Sequence, residues 1–251
     1  MRCSHLNRAL YASRICNMEY KKLSIKEKIR DASLLKVGDV LLCHTKTSSS
    51  LVARKIESVT GSEYCHAAIY YGDSMVAESV VKNGVKSGGI GKTSIIDLVN
   101  RYDHVTVLRQ PDAWVSEDRR KSLQQFIDQV ISSNAKYNFS GVGKFAKKKR
   151  EHEASIQDKL TAFFSDGLQP ESPQKHSYFC SEFVADCFIA VGFIDPSAAI
   201  LYQSDTYSPG DLGKDPTFGT FWGYLSAQDN YEVPSTDYFY HQTTVDEIFG
   251  I

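Results

Sequence analysis

Nowhere does the 251-residue chain offer the roughly 18 to 20 consecutive apolar residues that a membrane-spanning helix needs. Its first residues include arginines and lysines but no apolar core of signal-peptide length, so residence in the cytoplasm is expected, with export by a route needing no such signal left open. An excess of either charge is also missing, since 29 Lys and Arg face 30 Asp and Glu for a formal net charge of -1. That balance supplies no basic field for nucleic acid and no acidic surplus for a basic partner. The six cysteines (Cys3, Cys16, Cys43, Cys65, Cys180 and Cys187) show neither zinc-finger spacing nor the density of a disulfide-stapled secreted domain, and reduced thiols are expected. With 42% hydrophobic and 24% charged residues, what remains is an ordinary globular composition, long enough to bury a large core in one domain.

Patterning divides the chain into three parts. Residues 1–32 mix Arg and Lys with scattered apolar residues and read as an appended helical segment, dispensable for chemistry. Residues 33–215 hold the clear elements: a buried strand Val40–His44, a short amphipathic helix over Leu51–Ile56, and two β-rich runs, Cys65–Tyr71 and Met75–Val81, separated by Gly72-Asp73-Ser74. A short helix over Ser94–Tyr102 and a strand over Val105–Leu108 follow. The helix capped by Ser116 carries Leu123, Phe126, Ile127, Val130 and Ile131 on one face, with acids at its positive end. A charged segment over about 144–176 reads as an insertion, and residues 216–251 as a C-terminal extension packed on the domain or partly flexible.

Chemistry concentrates where a helix begins at Tyr178-Phe179-Cys180-Ser181-Glu182 and ends at Gly192. A thiol in the first turn meets free N–H groups and the positive end of the helix dipole, which favour thiolate over thiol. The same N–H groups, that of Cys180 included, can stabilise an oxyanion. Cys180 also shares a helical face with Phe183, Val184 and Cys187, so a core role competes with a nucleophilic one. Its base must come from elsewhere in the fold, and His66 on the first β-rich run is the candidate. Glu78, among Met75-Val76-Ala77 and Ser79-Val80-Val81, needs a partner if buried, and orienting His66 would provide one. That requires the right parity. A two-residue loop pairing Tyr71 with Ser74 puts Ala67 opposite Glu78, whereas a three-residue loop makes His66 and Glu78 direct or diagonal neighbours.

Leu35-Lys36-Val37-Gly38-Asp39-Val40-Leu41, Cys65–Asp73, Val76-Ala77-Glu78-Ser79 and Tyr178–Val184 together, in that order, resemble the circularly permuted papain-fold hydrolases of the YaeF/YiiX group in the NlpC-like superfamily. Ala67-Ala68 stands where that family often has a glycine after the histidine. The resemblance implies an α+β fold in which a small antiparallel β-barrel or sheet packs on the helix carrying the nucleophile. It also implies thiol-dependent cleavage of an amide or peptide bond without a cofactor, with Cys180 as nucleophile, His66 as general base and acid, and Glu78 orienting His66. The lecithin retinol acyltransferase-like branch, also permuted, implies an alternative, lipid acyl transfer at a membrane surface. A binding module that keeps the fold without turnover is another.

Other chemistries are weaker. Gly91-Lys92-Thr93 resembles the end of a phosphate-binding loop, but Lys86 stands where that motif needs glycine. Cys43-His44 and Cys65-His66 would make a zinc site only if neighbouring strands converged, since each dipeptide offers one ligand per face. Lys147-Lys148-Lys149-Arg150 reads as a solvated helix face, with contact to anionic lipid as the alternative because Phe145, Leu160, Phe163 and Phe164 lie nearby.

Overall fold

The structure is a computed structural model and describes residues 22–45, 58, 60–82, 87–112, 115–167, 171–195, 198 and 200–250. The short helix expected over Leu51–Ile56 and most of the N-terminal segment lie outside the described residues.

The fold is mixed α and β, built on one curled sheet of eight strands. These are β1 (Val40–His44), β2 (Tyr64–Gly72), β3 (Met75–Lys82), β4 (Ser87–Ser94), β5 (His104–Arg109), β6 (Lys136–Tyr137), β7 (Ser177–Tyr178) and β8 (Thr220–Leu225), in the spatial order β7-β6-β4-β3-β2-β1-β5-β8. Neighbours run antiparallel except β6 and β7. Among the described residues there are six α-helices: α1 (Ile95–Asn100), α2 (Glu117–Ser132), α3 (Phe139–Asp166), α4 (Cys180–Ala190), α5 (Pro209–Lys214) and α6 (Val245–Phe249).

Strand alternation sorts apolar residues into two cores. Val40, Leu42, Ala67, Ile69 and Ala77 pack with Phe183, Val184 and Cys187 of α4 and with Leu123, Phe126, Ile127 and Val130 of α2. Leu41, Cys43, Ala68, Tyr70 and Val76 pack on the other face with Ile95, Leu98 and Val99 of α1. Covered on both faces, β1 is buried throughout, as its uninterrupted apolar run predicts. The Ser94 and Ser116 side chains accept the Asp97 and Arg119 amide hydrogens, so Ser116 caps its helix as expected and Ser94 caps α1 from just outside it.

Three features differ from the sequence reading. The segment treated as an insertion from residue 144 belongs to a 28-residue helix, α3, that starts at Phe139, where Asn138 accepts from Gly141 N at 2.8 Å, and stops at Gly167 in the left-handed region. Its first turns are apolar and packed: Val142 and Phe145 form a small core with Tyr137 and Phe179. The sheet takes its last strand, β8, from within the C-terminal extension, and from that extension Asp237 accepts from Tyr64, His104 and Tyr224 in a buried network. That part of the extension is built into the sheet. At the N-terminal side Ile29 pairs with Tyr224, and an added Cβ on Gly223 would lie 2.6 Å from Lys28 O, so glycine permits this close approach.

Candidate active site

β7 feeds directly into α4. Phe179 is the N-cap and donates its N–H to Glu182 Oε2 at 3.1 Å, an acidic residue in the positive first turn. Asn138 and Lys175 hold Glu182 in turn, and Lys175 Nζ also lies 2.9 Å from Asp186 Oδ2. Burial pushes the Asp186 carboxyl up to about 7 despite this lysine. One cation between two carboxylates on successive turns thus braces the buried side of the helix that begins with Cys180.

The structure brings the three sequence-predicted residues together. The Cys180 thiol is hydrogen-bonded to the His66 imidazole, and His66 Nε2 lies 2.8 Å from Glu78 Oε2. With Nε2 committed to the carboxylate, Nδ1 is the ring nitrogen left for the sulfur. Cys180 is 1% exposed and Glu78 fully buried. Burial alone would raise the thiol's pKa, but the His66 hydrogen bond, the imidazolium charge, and backbone hydrogen bonds with Ala67 and Ser181 bring it below its ordinary value. Burial likewise works against the imidazolium, yet hydrogen bonds to Cys180 and Glu78 raise His66 to about 9. For Glu78 burial is again opposed, by His66 and then by Arg101, which hold the carboxyl down at about 2.

The parity that joins His66 to Glu78 arises by a route the sequence reading did not foresee. The hairpin closes on a two-residue turn, with Gly72 paired to Met75, and Asp73 and Ser74 both at positive φ (50° and 58°). On its own such a turn would put Ile69 opposite Glu78, the wrong face. A bulge between Tyr70 and Gly72 restores the register, so that Ala68 stands opposite Glu78 and His66 is its diagonal neighbour. A second irregularity, between Cys43 and His44 in the β1–β2 pairing, sits beside His66 itself. Bulges next to reactive residues re-aim side chains.

Three contributors were missed. Arg101 Nη2 donates to Glu78 Oε1 at 2.6 Å, Thr93 adds a side-chain hydrogen bond to the same carboxylate, and the Tyr102 ring stacks on His66 with centroids 5.9 Å apart and planes within 11°. Arg101 and Tyr102 close the helix that Ser94 opens, so the α1 pattern places them side by side, but only the fold brings them to His66.

A small cleft, partly open to solvent, lies beside the nucleophile, with Val142, Phe145, Phe179, Cys180, Ser181 and Pro209 in its wall. Val142 and Phe145 come from the apolar start of α3. The basic run points elsewhere: Lys148 pairs with Asp205, and Lys149 lies 2.8 Å from Asp211. Cys65 Sγ donates to Cys43 O, His44 stacks on His104, and among the described residues no group of three metal-ligating side chains converges. Gly91-Lys92-Thr93 lies within β4 and forms no phosphate loop. Among the described residues no helix is long and apolar enough to cross a membrane.

No family model matches the chain. It is 28% identical over 203 residues to the probable lipoprotein peptidase YaeF of Escherichia coli (strain K12), an alignment that spans 77% of this chain and 67% of that protein.

Proposed function

We propose that this protein is a cysteine hydrolase of permuted papain type that cleaves an amide or peptide bond through an acyl-enzyme. The observation that carries the reading is the chain of contacts Cys180–His66–Glu78, with the sulfur in the first turn of a helix. The peptidase name of the similar Escherichia coli protein favours an amide over an ester.

His66 Nδ1 takes the thiol proton while Nε2–H donates to Glu78, which fixes the tautomer and balances the imidazolium. The thiolate attacks the carbonyl carbon, and the developing oxyanion is stabilised by N–H groups at the start of α4, that of Cys180 among them. Collapse breaks the C–N bond, and the amine leaves with the proton held by His66. Water, losing a proton to the same imidazole, then attacks the thioester, releases the acid and restores the thiol. Stacking by Tyr102 and the hold of Arg101 on Glu78 limit movement of the imidazole between these two tasks.

The test is labelling of the whole protein with a panel of amide, ester and peptide electrophiles, read by intact mass. One adduct is expected on the wild type and none on Cys180→Ser. A wild type that takes no adduct, or the same adduct on Cys180→Ser, would overturn the reading.

A further inference from the structure

Resting on the reading of Cys180 as the nucleophile, we infer that the cleft beside it is an acyl-side subsite for one compact, uncharged apolar group: a branched aliphatic or aromatic side chain next to the scissile carbonyl. Three observations carry this. Val142, Phe145, Phe179 and Pro209 line the cleft together with Thr60, Ser181 and Ser208, of which the two serine hydroxyls are spent on Tyr207 O and Asp211, and none of these residues bears a formal charge. A charged substituent there would surrender its hydration without a partner, whereas an apolar one gains from leaving water. Lys148 and Lys149 of the same helix as Val142 and Phe145 do not offset this, because they are engaged by Asp205 and Asp211.

Size gives the second constraint. The cleft is small and partly open to solvent, too small to enclose a whole drug-sized ligand. The cleft therefore takes one substituent of a larger substrate. The Phe145 and Phe179 rings, edge to face with centroids 6.2 Å apart, form a wall that a branched or flat group can contact broadly.

Position decides which side of the scissile bond is held. The departing amine must receive its proton from His66 and so leaves past that ring. Cys180 and Ser181 line the cleft but His66 does not. The cleft is thus on the flank of the sulfur away from the leaving group, where the acyl portion remains after the amine has gone.

The test measures acylation of Cys180 in the whole protein by p-nitrophenyl esters of acetate, 3-methylbutanoate, phenylacetate, glutarate and decanoate, followed by intact mass. Each rate is divided by that of the same ester with free cysteine, which removes intrinsic reactivity. The 3-methylbutanoyl and phenylacetyl donors are expected to exceed the acetyl and glutaryl donors by about tenfold or more, the scale of methylene discrimination in an apolar pocket. Val142→Phe, which fills the cleft, should collapse that preference. Should this variant not fold, protection decides: 3-methylbutanamide should slow iodoacetamide alkylation of wild-type Cys180 where glutaramate does not. Acetyl or glutaryl donors reacting as fast would overturn the subsite while leaving the nucleophile in place, and decanoate reacting fastest would replace it with a lipid-chain site. Acylation by none of the esters would overturn both the subsite and the proposed nucleophile.

Discussion

Arg101 Nη2 meets Glu78 Oε1 at 2.6 Å, on the carboxylate oxygen that His66 leaves free. Glu78 is fully buried and so needs both partners, and Arg101 supplies the permanent charge of the two. Removing it leaves a buried oxygen short of a donor, at about 1 to 3 kcal/mol, with the lower end favoured because the Arg101 side chain is 39% exposed. Arg101→Ala should therefore lower thermal stability and, by loosening Glu78 and the ring it orients, slow acylation of Cys180 by about tenfold at pH 7. Arg101→Lys should recover part of the stability and less of the rate, since one ammonium cannot reproduce the fork. A rate unchanged in both variants would show that Arg101 only stabilises the fold.

The thiolate and the imidazolium predict different pH dependences for two assays of the same sulfur. The Cys180 thiol sits below its ordinary value of 9.0 and His66 is raised to about 9. Alkylation by iodoacetamide needs only the thiolate and should rise with pH to a plateau. Amide turnover also needs the proton on His66, so it should rise with the same limb and fall again as pH passes about 9. In His66→Ala only burial and backbone hydrogen bonds remain, the thiol pKa rises, and alkylation at pH 7 should fall at least about tenfold. Stopped-flow alkylation across pH 5 to 10 on both proteins checks this. Coincident profiles for the two assays would contradict the assigned roles.

Glu78 should leave its mark on acid stability. Its folded-state pKa of about 2 lies below the ordinary 4.5, so its contribution is present above 4.5 and lost as pH falls through about 2. His66 has the opposite sign: raised from 6.5 to about 9, it stabilises fully below 6.5 and less as pH climbs through 9. Glu78→Gln removes the carboxylate's contribution. The melting-temperature gap between wild type and Glu78→Gln is expected to be widest near pH 6 and to close steadily between pH 5 and 2. A gap independent of pH would mean that the carboxylate is not held ionised by His66 and Arg101.

How much of this was visible along the chain depends on the range of the interaction concerned. Cys180 at a helix start and His66 in a strand follow from local pattern, because capping and alternation act over a few residues. Glu78 was legible as a buried acid needing a partner, but its register was not, because the bulge at Tyr71 is a pairing irregularity with no signature in composition. Val142 and Phe145 read as the flank of a charge run, and only packing against Phe179 makes them a wall. The Phe221-Trp222-Gly223-Tyr224-Leu225 run is strand-like in residue type, and the signal was there to be read. Its place at the sheet edge beside β5 depends on contacts more than a hundred residues apart in sequence.

The turn between β2 and β3 offers a last test, one that separates register from chemistry. Asp73 and Ser74 both hold φ values near +50° to +60°, where a side chain is strained and where Asn-Gly is the favoured pair. Replacing them together, Asp73→Asn with Ser74→Gly, keeps the two-residue loop and relieves that strain, which outweighs the added freedom of glycine in the unfolded chain. Stability should rise by about 0.5 to 1 kcal/mol in denaturant unfolding, with Cys180 alkylation unchanged. The contrasting change is deletion of Ala68, which removes a position between His66 and the bulge while sparing the turn. Strand faces alternate with each residue, so with Ile69 still paired to Ala77 the loss of that position inverts the His66 end of β2 relative to β3, and Glu78 then comes opposite Ala67 instead of Ala68. In that variant, provided circular dichroism shows a folded sheet, His66 should lose its carboxylate partner and Cys180 should alkylate as slowly at pH 7 as in Glu78→Ala. Alkylation at the wild-type rate would mean that strand register does not set the His66–Glu78 contact.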